Sequence, residues 1–292
     1  MGSLLYLFER SAPLPRSRFV GCFVTLPIRL MIVSLLTIPL PLVVKAAPNG
    51  IQTPRSPQAT CDPTRFSIVI DIGHTPQAPG ATSARGISEF TFNSNLGTAL
   101  TNVLVKSGFS STTLMTSTGV GVAQLTERTA RANELKPDLF LSLHHDSVQP
   151  QYLSRWTVDG KSLGYSDLFS GYSLFVASSN AFAKPSLEFA KRLSDELLAR
   201  GFKFSLHHAE NIRGEHRVLL DAGRGIYRYD ELIVLKQARS AAVLFEAGII
   251  VNRSEEALLQ TAEYRRRISS SILSAINSFC AMRQSGEFAF MP

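Results

Sequence analysis

The sequence predicts an α/β fold: a single domain with a mostly parallel, twisted sheet flanked by helices and an active edge at the C-terminal ends of the strands. Three observations lead there. Short runs of aliphatic and β-branched residues alternate along the chain with longer segments of helical periodicity. No internal repeat recurs at solenoid spacing. Three of the apolar runs end in ionisable residues, and an open α/β sheet gathers such endings along one edge.

Phe66 to Asp71 ("FSIVID") is the first expected strand, stopped at Gly73. Glu89 to Lys106 reads as a helix, with Leu96, Leu100, Val103 and Leu104 on one face and Gly108 just beyond its end. Leu125 to Lys136 repeats that pattern through Leu125, Ala132 and Leu135, and Pro137 ends it. "LFLSLHHD" (139–146) and "YSLFVASS" (172–179) are further strands. Ser186 to Arg200 is amphipathic, with Leu187, Ala190, Leu193 and Leu197 inward and Gly201 closing it. "FKFSL" and "ELIVL" are expected as short strands, and "AAVLFEAG" (241–248) as a buried one. A long last helix is expected from about Ser254, with that serine as N-cap and Glu255 and Glu256 in its first turn.

An apolar fraction of 45% with 18% charged residues, over 292 residues, supplies ample material for a core. The formal charge of +7 would suit a nucleic-acid partner, but it is unevenly placed. Residues 1–46 carry Arg10, Arg16, Arg18, Arg29 and Lys45 against Glu9, and the remainder holds 25 basic against 22 acidic residues. No Lys/Arg block forms a phosphate-binding stripe, so nucleic acid is excluded as a partner. The basic N-terminus leads into an uncharged run from Leu30 to Val44, shorter than the roughly 20 residues of a membrane span. Val44 and Ala46 suit the −3 and −1 positions, so residues 1–46 are expected to be a signal peptide cleaved after Ala46, or else an uncleaved anchor. Residues 47–64, rich in Pro, Thr, Ser and Gln, read as a linker, and export to the periplasm or cell envelope is expected. In that compartment Cys61 and Cys280 either pair or stay separate thiols, and neither has metal-ligand spacing.

His74 follows "IVIDIG", His144 and His145 follow "LFLSL", Glu246 follows "AVLF", and Glu89 opens the first helix fifteen residues after His74. Two imidazoles and a carboxylate with one position left open form a standard catalytic zinc set. A second carboxylate, off the metal, can then carry a proton, so two histidines and two glutamates suffice for amide hydrolysis. Each residue also has a structural reading. His74 would serve as a turn or core residue and Glu89 as a first-turn acid facing the helix dipole. Strand alternation sends adjacent His144 and His145 to opposite faces, so only one readily reaches the crevice. Glu246 is hardest to explain structurally, because a carboxylate in a buried strand is costly without a partner. His207, His208 and His216 are read as the polar end of a further strand, with a place in the substrate groove as the alternative. GxSxG and the phosphate-binding glycine motifs are absent.

"IVIDIGHTPQAPGA", "GISEF", "LTERTARANELKPDLFLSLHHDS" and "AAVLFEAGIIVNRSEEALL" resemble, in order, zinc-dependent N-acetylmuramoyl-L-alanine amidases of the peptidoglycan amidase-3 family. The resemblance implies one Zn2+ per chain held by His74, Glu89 and His144, with Glu246 as the catalytic carboxylate. It implies hydrolysis of the amide joining N-acetylmuramic acid to the L-alanine of the stem peptide, in wall remodelling or daughter-cell separation. His145 falls where the family has a small residue and stays outside the ligand set. The sequence departs from the pattern at "HTP" and at Ile72, changes expected at the rim of the site. A catalytic domain over 65–283 with a tail over 284–292 follows, with peptidoglycan as partner, a regulatory activator protein as a further one, and membrane only if residues 1–46 stay attached. Two other functions compete: a zinc peptidase cutting within wall peptides, and an exported wall-binding protein without catalysis.

Overall fold

The computed structural model describes residues 60–286. The expected signal peptide and most of the linker lie outside them. In chain order the elements are β1 (Ile68–Ile72), α1 (Glu89–Lys106), β2 (Thr112–Met115), α2 (Gly121–Glu134), β3 (Leu139–Asp146), β4 (Ser154–Val158), β5 (Lys161–Tyr165), β6 (Ser173–Val176), α3 (Ala183–Ala199), β7 (Leu219–Asp221), β8 (Ile226–Arg228), α4 (Ile233–Lys236), β9 (Ala241–Ile249), α5 (Arg253–Leu259) and α6 (Ala262–Gln284).

Seven strands form one sheet in the order β2-β1-β3-β9-β6-β8-β7, and β4 and β5 make a separate hairpin. β2, β1, β3 and β9 run parallel, β6 lies antiparallel to β9, and β8 follows β6. The expected mostly parallel α/β sheet is therefore present, and β1, β3 and β9 end on the same edge.

Period-two alternation assigns the two faces. Ile68 and Ile70 of β1, Leu139, Leu141 and Leu143 of β3, and Val243 and Phe245 of β9 share one core cluster with leucines of α1 and α3 and isoleucines of α6. Val69, Phe140, Ala242 and Leu244 face the other way, with Ala132 of α2 and Val234 and Leu235 of α4. Leu96, Leu100 and Leu104 recur every four residues along α1 and are fully buried. Each contributes roughly 1.5–3 kcal/mol of apolar burial, which is what seats the helix and hence Glu89 at its head.

Several expectations are corrected. "FKFSL" forms no strand, and Phe204 makes only an isolated bridge to Tyr172. "ELIVL" yields the single helical turn α4: adjacent Val234 and Leu235 pack into the same core cluster, whereas strand alternation would send them to opposite faces. α2 begins at Gly121 rather than Leu125, and α3 at Ala183 rather than Ser186. The expected last helix is two helices. Asn252, not Ser254, caps α5 through its side chain, accepting from the amides of Ser254 and Glu255 at 3.1 and 3.0 Å. Thr261 then caps α6, accepting from Tyr264 N–H at 3.1 Å. Cys61 and Cys280 are joined in a disulfide that ties the segment before β1 to α6 across 219 residues.

Candidate active site

On the α2 face, the alternation that buries Val69 and Phe140 also presents Asp71, Ser142, His144 and Glu246. In register, His144 lies beside Glu246, and Ser173 lies on the other side of Glu246. His74 lies just past the end of β1, and Glu89 reaches the same edge from the first residue of α1.

Glu89 joins the two histidines, one carboxylate oxygen to each. Its Oε2 lies 2.9 Å from His74 Nε2 and its Oε1 lies 2.9 Å from His144 Nδ1. One ligand atom from each of His74, Glu89 and His144 lies within 4.8 Å of the others, close enough to hold a metal ion. Burial opposes the charge on Glu89, but hydrogen bonds to His144 and His74 outweigh it and hold the carboxyl well below the usual carboxylate range. Two glycines make the approach possible. A Cβ on Gly73 would meet the His144 ring at 2.4 Å, and one on Gly80, at φ 78°, would meet Glu89 Oε2 at 2.4 Å.

The cluster of Glu89 and the two histidines is braced from behind. Asn93, one turn beyond Glu89, donates to Glu89 Oε1 at 3.2 Å and to the Gly73 carbonyl at 3.1 Å, while Ala81 N–H donates to Glu89 Oε2 at 3.1 Å. His74 sits at φ 67°, a left-handed conformation that costs about 1–3 kcal/mol in a non-glycine residue. Arg128 of α2 holds it there, donating to the His74 carbonyl at 2.6 Å, with Nε 3.5 Å from Asp71 Oδ1. Ser142 Oγ donates to the other Asp71 oxygen at 2.7 Å. Thr75, in the divergent "HTP", is fully buried and donates to the Gly119 carbonyl at 2.7 Å, pinning the loop that carries His74.

Glu246 Oε2 is hidden from solvent and has no hydrogen-bond partner among the described residues. Burial first, then the charges of Asp146 and Glu89, push its carboxyl well above the usual range. A cavity of about 370 Å³ opens beside the histidines, lined by His74, His144 and Arg128 and by apolar Leu125, Leu232 and Val234. The polar and aromatic segment after β3 folds as the β4–β5 hairpin. Trp156 Nε1 donates to the Ala84 carbonyl at 2.8 Å, seating the hairpin on the loop that leads to Glu89.

His145 lies on the opposite face, 2% exposed, with Nδ1 2.7 Å from Asn93 Oδ1. Burial pushes its imidazole down to about 3, so it stands as a neutral buttress behind the cluster of His74, Glu89 and His144. The structure thus brings together all four sequence-predicted residues and separates His144 from His145. Sequence reasoning missed Arg128 and Asn93. Arg128 interrupts the apolar stripe between Leu125 and Ala132, which signals a buried partner, and Asn93 stands four residues after Glu89 on the same helical face. His207 and His208 end no strand. They form a short turn (His207–Ala209) packed against Asp146.

A sheet edge that gathers two imidazoles and two carboxylates beside an open cavity defines a hydrolase-type site. Residues 68–278 match the Amidase_3 family, N-acetylmuramoyl-L-alanine amidase, and the chain belongs to that family. It is similar to an N-acetylmuramoyl-L-alanine amidase of Mycobacterium tuberculosis, at 25% identity over 205 residues, 70% of this chain and 74% of the relative. Its fold matches the amidase Ami1 of Mycobacterium smegmatis with a TM-score of 0.55 and 21% identity, covering 74% of this chain and 97% of that one. The catalytic domain of the amidase CwlV from Bacillus (Paenibacillus) polymyxa gives a TM-score of 0.52 and 22% identity, covering 72% and 96%. The protein is an N-acetylmuramoyl-L-alanine amidase with peptidoglycan as its substrate.

Proposed function

We propose that this amidase is zinc-dependent, with His74, Glu89 and His144 holding the ion and Glu246 moving the proton. The observation that carries the reading is the Glu89 carboxylate, with one oxygen 2.9 Å from each histidine. Two imidazole nitrogens and a carboxylate oxygen are the donor set that zinc favours in catalytic sites, and the Gly73 and Gly80 approaches leave that set uncrowded. When bound, such an ion supplies Lewis-acid polarisation of the scissile carbonyl and hydroxide at neutral pH.

The chain's own residues supply the rest. Glu246, whose Oε2 is hidden from solvent with no hydrogen-bond partner among the described residues, takes the proton of the attacking water and returns it to the departing L-alanine nitrogen. Asn93 and Arg128 hold Glu89 and His74 in place so that neither must reorganise during turnover. Leu125, Leu232 and Val234 give the cavity an apolar wall against which the sugar and lactyl face can lie.

The Cys61–Cys280 disulfide supports an oxidising compartment, and with it export of the chain for wall remodelling or daughter-cell separation. Digestion of purified sacculi by the full chain, read by mass spectrometry, tests the bond assignment. Free stem peptides with new L-alanine amino termini are expected. Cleavage inside the stem would instead favour a wall peptidase.

A further inference from the structure

Asp146, His207 and His208 form a second cluster that the amidase chemistry does not use. His208 Nε2 lies 2.8 Å and His207 Nε2 3.2 Å from the same oxygen, Asp146 Oδ2. The side chains are 11%, 2% and 9% exposed for Asp146, His207 and His208. One ligand atom from each lies within 4.8 Å of the others.

The outer nitrogens are already occupied. His208 Nδ1 lies 2.7 Å from Glu215 Oε2, and Gln149 Nε2 donates to the other Glu215 oxygen at 2.8 Å. An ionised carboxylate only accepts, so His208 Nε2 meets Asp146 through either a second proton or a cation, while Nδ1 carries a proton to Glu215. This is the carboxylate–histidine support that orients metal-bound imidazoles. His207 Nδ1 lies 2.8 Å from Ser205 Oγ, while its buried Nε2 has no hydrogen-bond partner among the described residues. A proton on His208 Nε2 would satisfy that one contact and leave His207 Nε2 orphaned. A single cation among the three atoms satisfies all of them.

We propose that Asp146, His207 and His208 bind a second divalent metal ion of the zinc and cobalt class, separate from the ion held by His74, Glu89 and His144. Two imidazoles and one carboxylate suit borderline cations of this kind better than calcium or magnesium, which prefer all-oxygen sites. The ion ties the turn that follows α3 to the end of β3, on the flank of Glu246. The cluster is unlike the first in that its histidines come from one turn and carry their own buried acid, Glu215.

The full chain, stripped with chelator and dialysed against Zn2+ alone, gives a metal-to-protein ratio by atomic emission. His207→Gln is expected to lower that ratio by one equivalent, and a His74→Gln/His144→Gln double variant is expected to keep one equivalent. A ratio unchanged by His207→Gln overturns the proposal, as does a double variant that binds none. Should His207→Gln fail to fold by circular dichroism, anomalous diffraction from Co2+-loaded wild-type crystals decides. A peak between the two Nε2 atoms and Asp146 Oδ2 supports the site, and its absence overturns it. Loss of metal only in the His74/His144 variant would leave the catalytic assignment standing while removing this one.

Discussion

Arg128 Nη2 donates to the main-chain carbonyl of His74 at 2.6 Å, from a side chain that is 1% exposed. The same guanidinium is the cation facing the buried carboxylate of Asp71. A histidine proposed as a metal ligand, in a left-handed conformation, is thereby fixed by a helix that supplies none of the proposed ligands.

Arg128→Met is expected to destabilise the fold by about 3–5 kcal/mol, because Asp71 stays buried without its cation. It should also weaken zinc binding by about 10–100-fold through the loosened His74. Denaturant unfolding and competition against a zinc chelator measure the two effects. A variant with full stability and unchanged zinc affinity would show that Arg128 supports neither group.

Glu246→Gln keeps the shape of the site and removes the carboxylate proposed to carry the proton. Turnover on sacculi should fall by about 10²–10⁴-fold with the zinc content intact. Wild-type turnover in this variant would assign the proton to another residue.

Cys280→Ala opens the bridge to Cys61 that spans 219 residues. A loss of about 2–5 kcal/mol in unfolding free energy is expected, matched by reduction of the wild-type protein. Equal denaturation midpoints with and without reductant would contradict it.

Burial pushes the Glu255 carboxyl up to about 7, against the backbone donors Ile249 and Gly171 that favour its charge. A raised pKa in the folded state means that the folded protein binds the proton more tightly than the unfolded chain. The stability from this group is therefore complete below the unfolded value near 4.5 and is lost as pH rises through about 7. The loss is on the order of 3 kcal/mol, and Glu255→Gln should flatten that slope in unfolding measured from pH 4 to 8. A slope unchanged in the variant would place the titration elsewhere.

The parts of the fold legible in the sequence were those with a strong local period. α1 runs from Glu89 to Lys106 as its leucine spacing implies, and β3 spans Leu139 to Asp146. His74, Glu89, His144 and Glu246 could be picked out because ionisable residues at the ends of apolar strands have few structural reasons to be there. "FKFSL" and "ELIVL" form no strand because a run of five residues is too short for its period to separate a strand from a turn, and neighbours decide. The antiparallel direction of β6 lies in no local pattern, since sheet order is set by packing among distant segments. The Asp146–His208–Glu215 contacts span 62 residues from Asp146 to His208 and were equally invisible.

The central claim is that His74, Glu89 and His144 hold the ion on which hydrolysis depends, and a zinc titration of chelated enzyme tests it most directly. Release of new L-alanine amino termini is followed as Zn2+ is returned to the wild type and to Glu89→Gln. Activity should vanish on chelation, return with zinc in the wild type, and need at least about 10-fold more zinc in Glu89→Gln. Activity that survives complete chelation, or that returns at the same zinc concentration in both proteins, would contradict it.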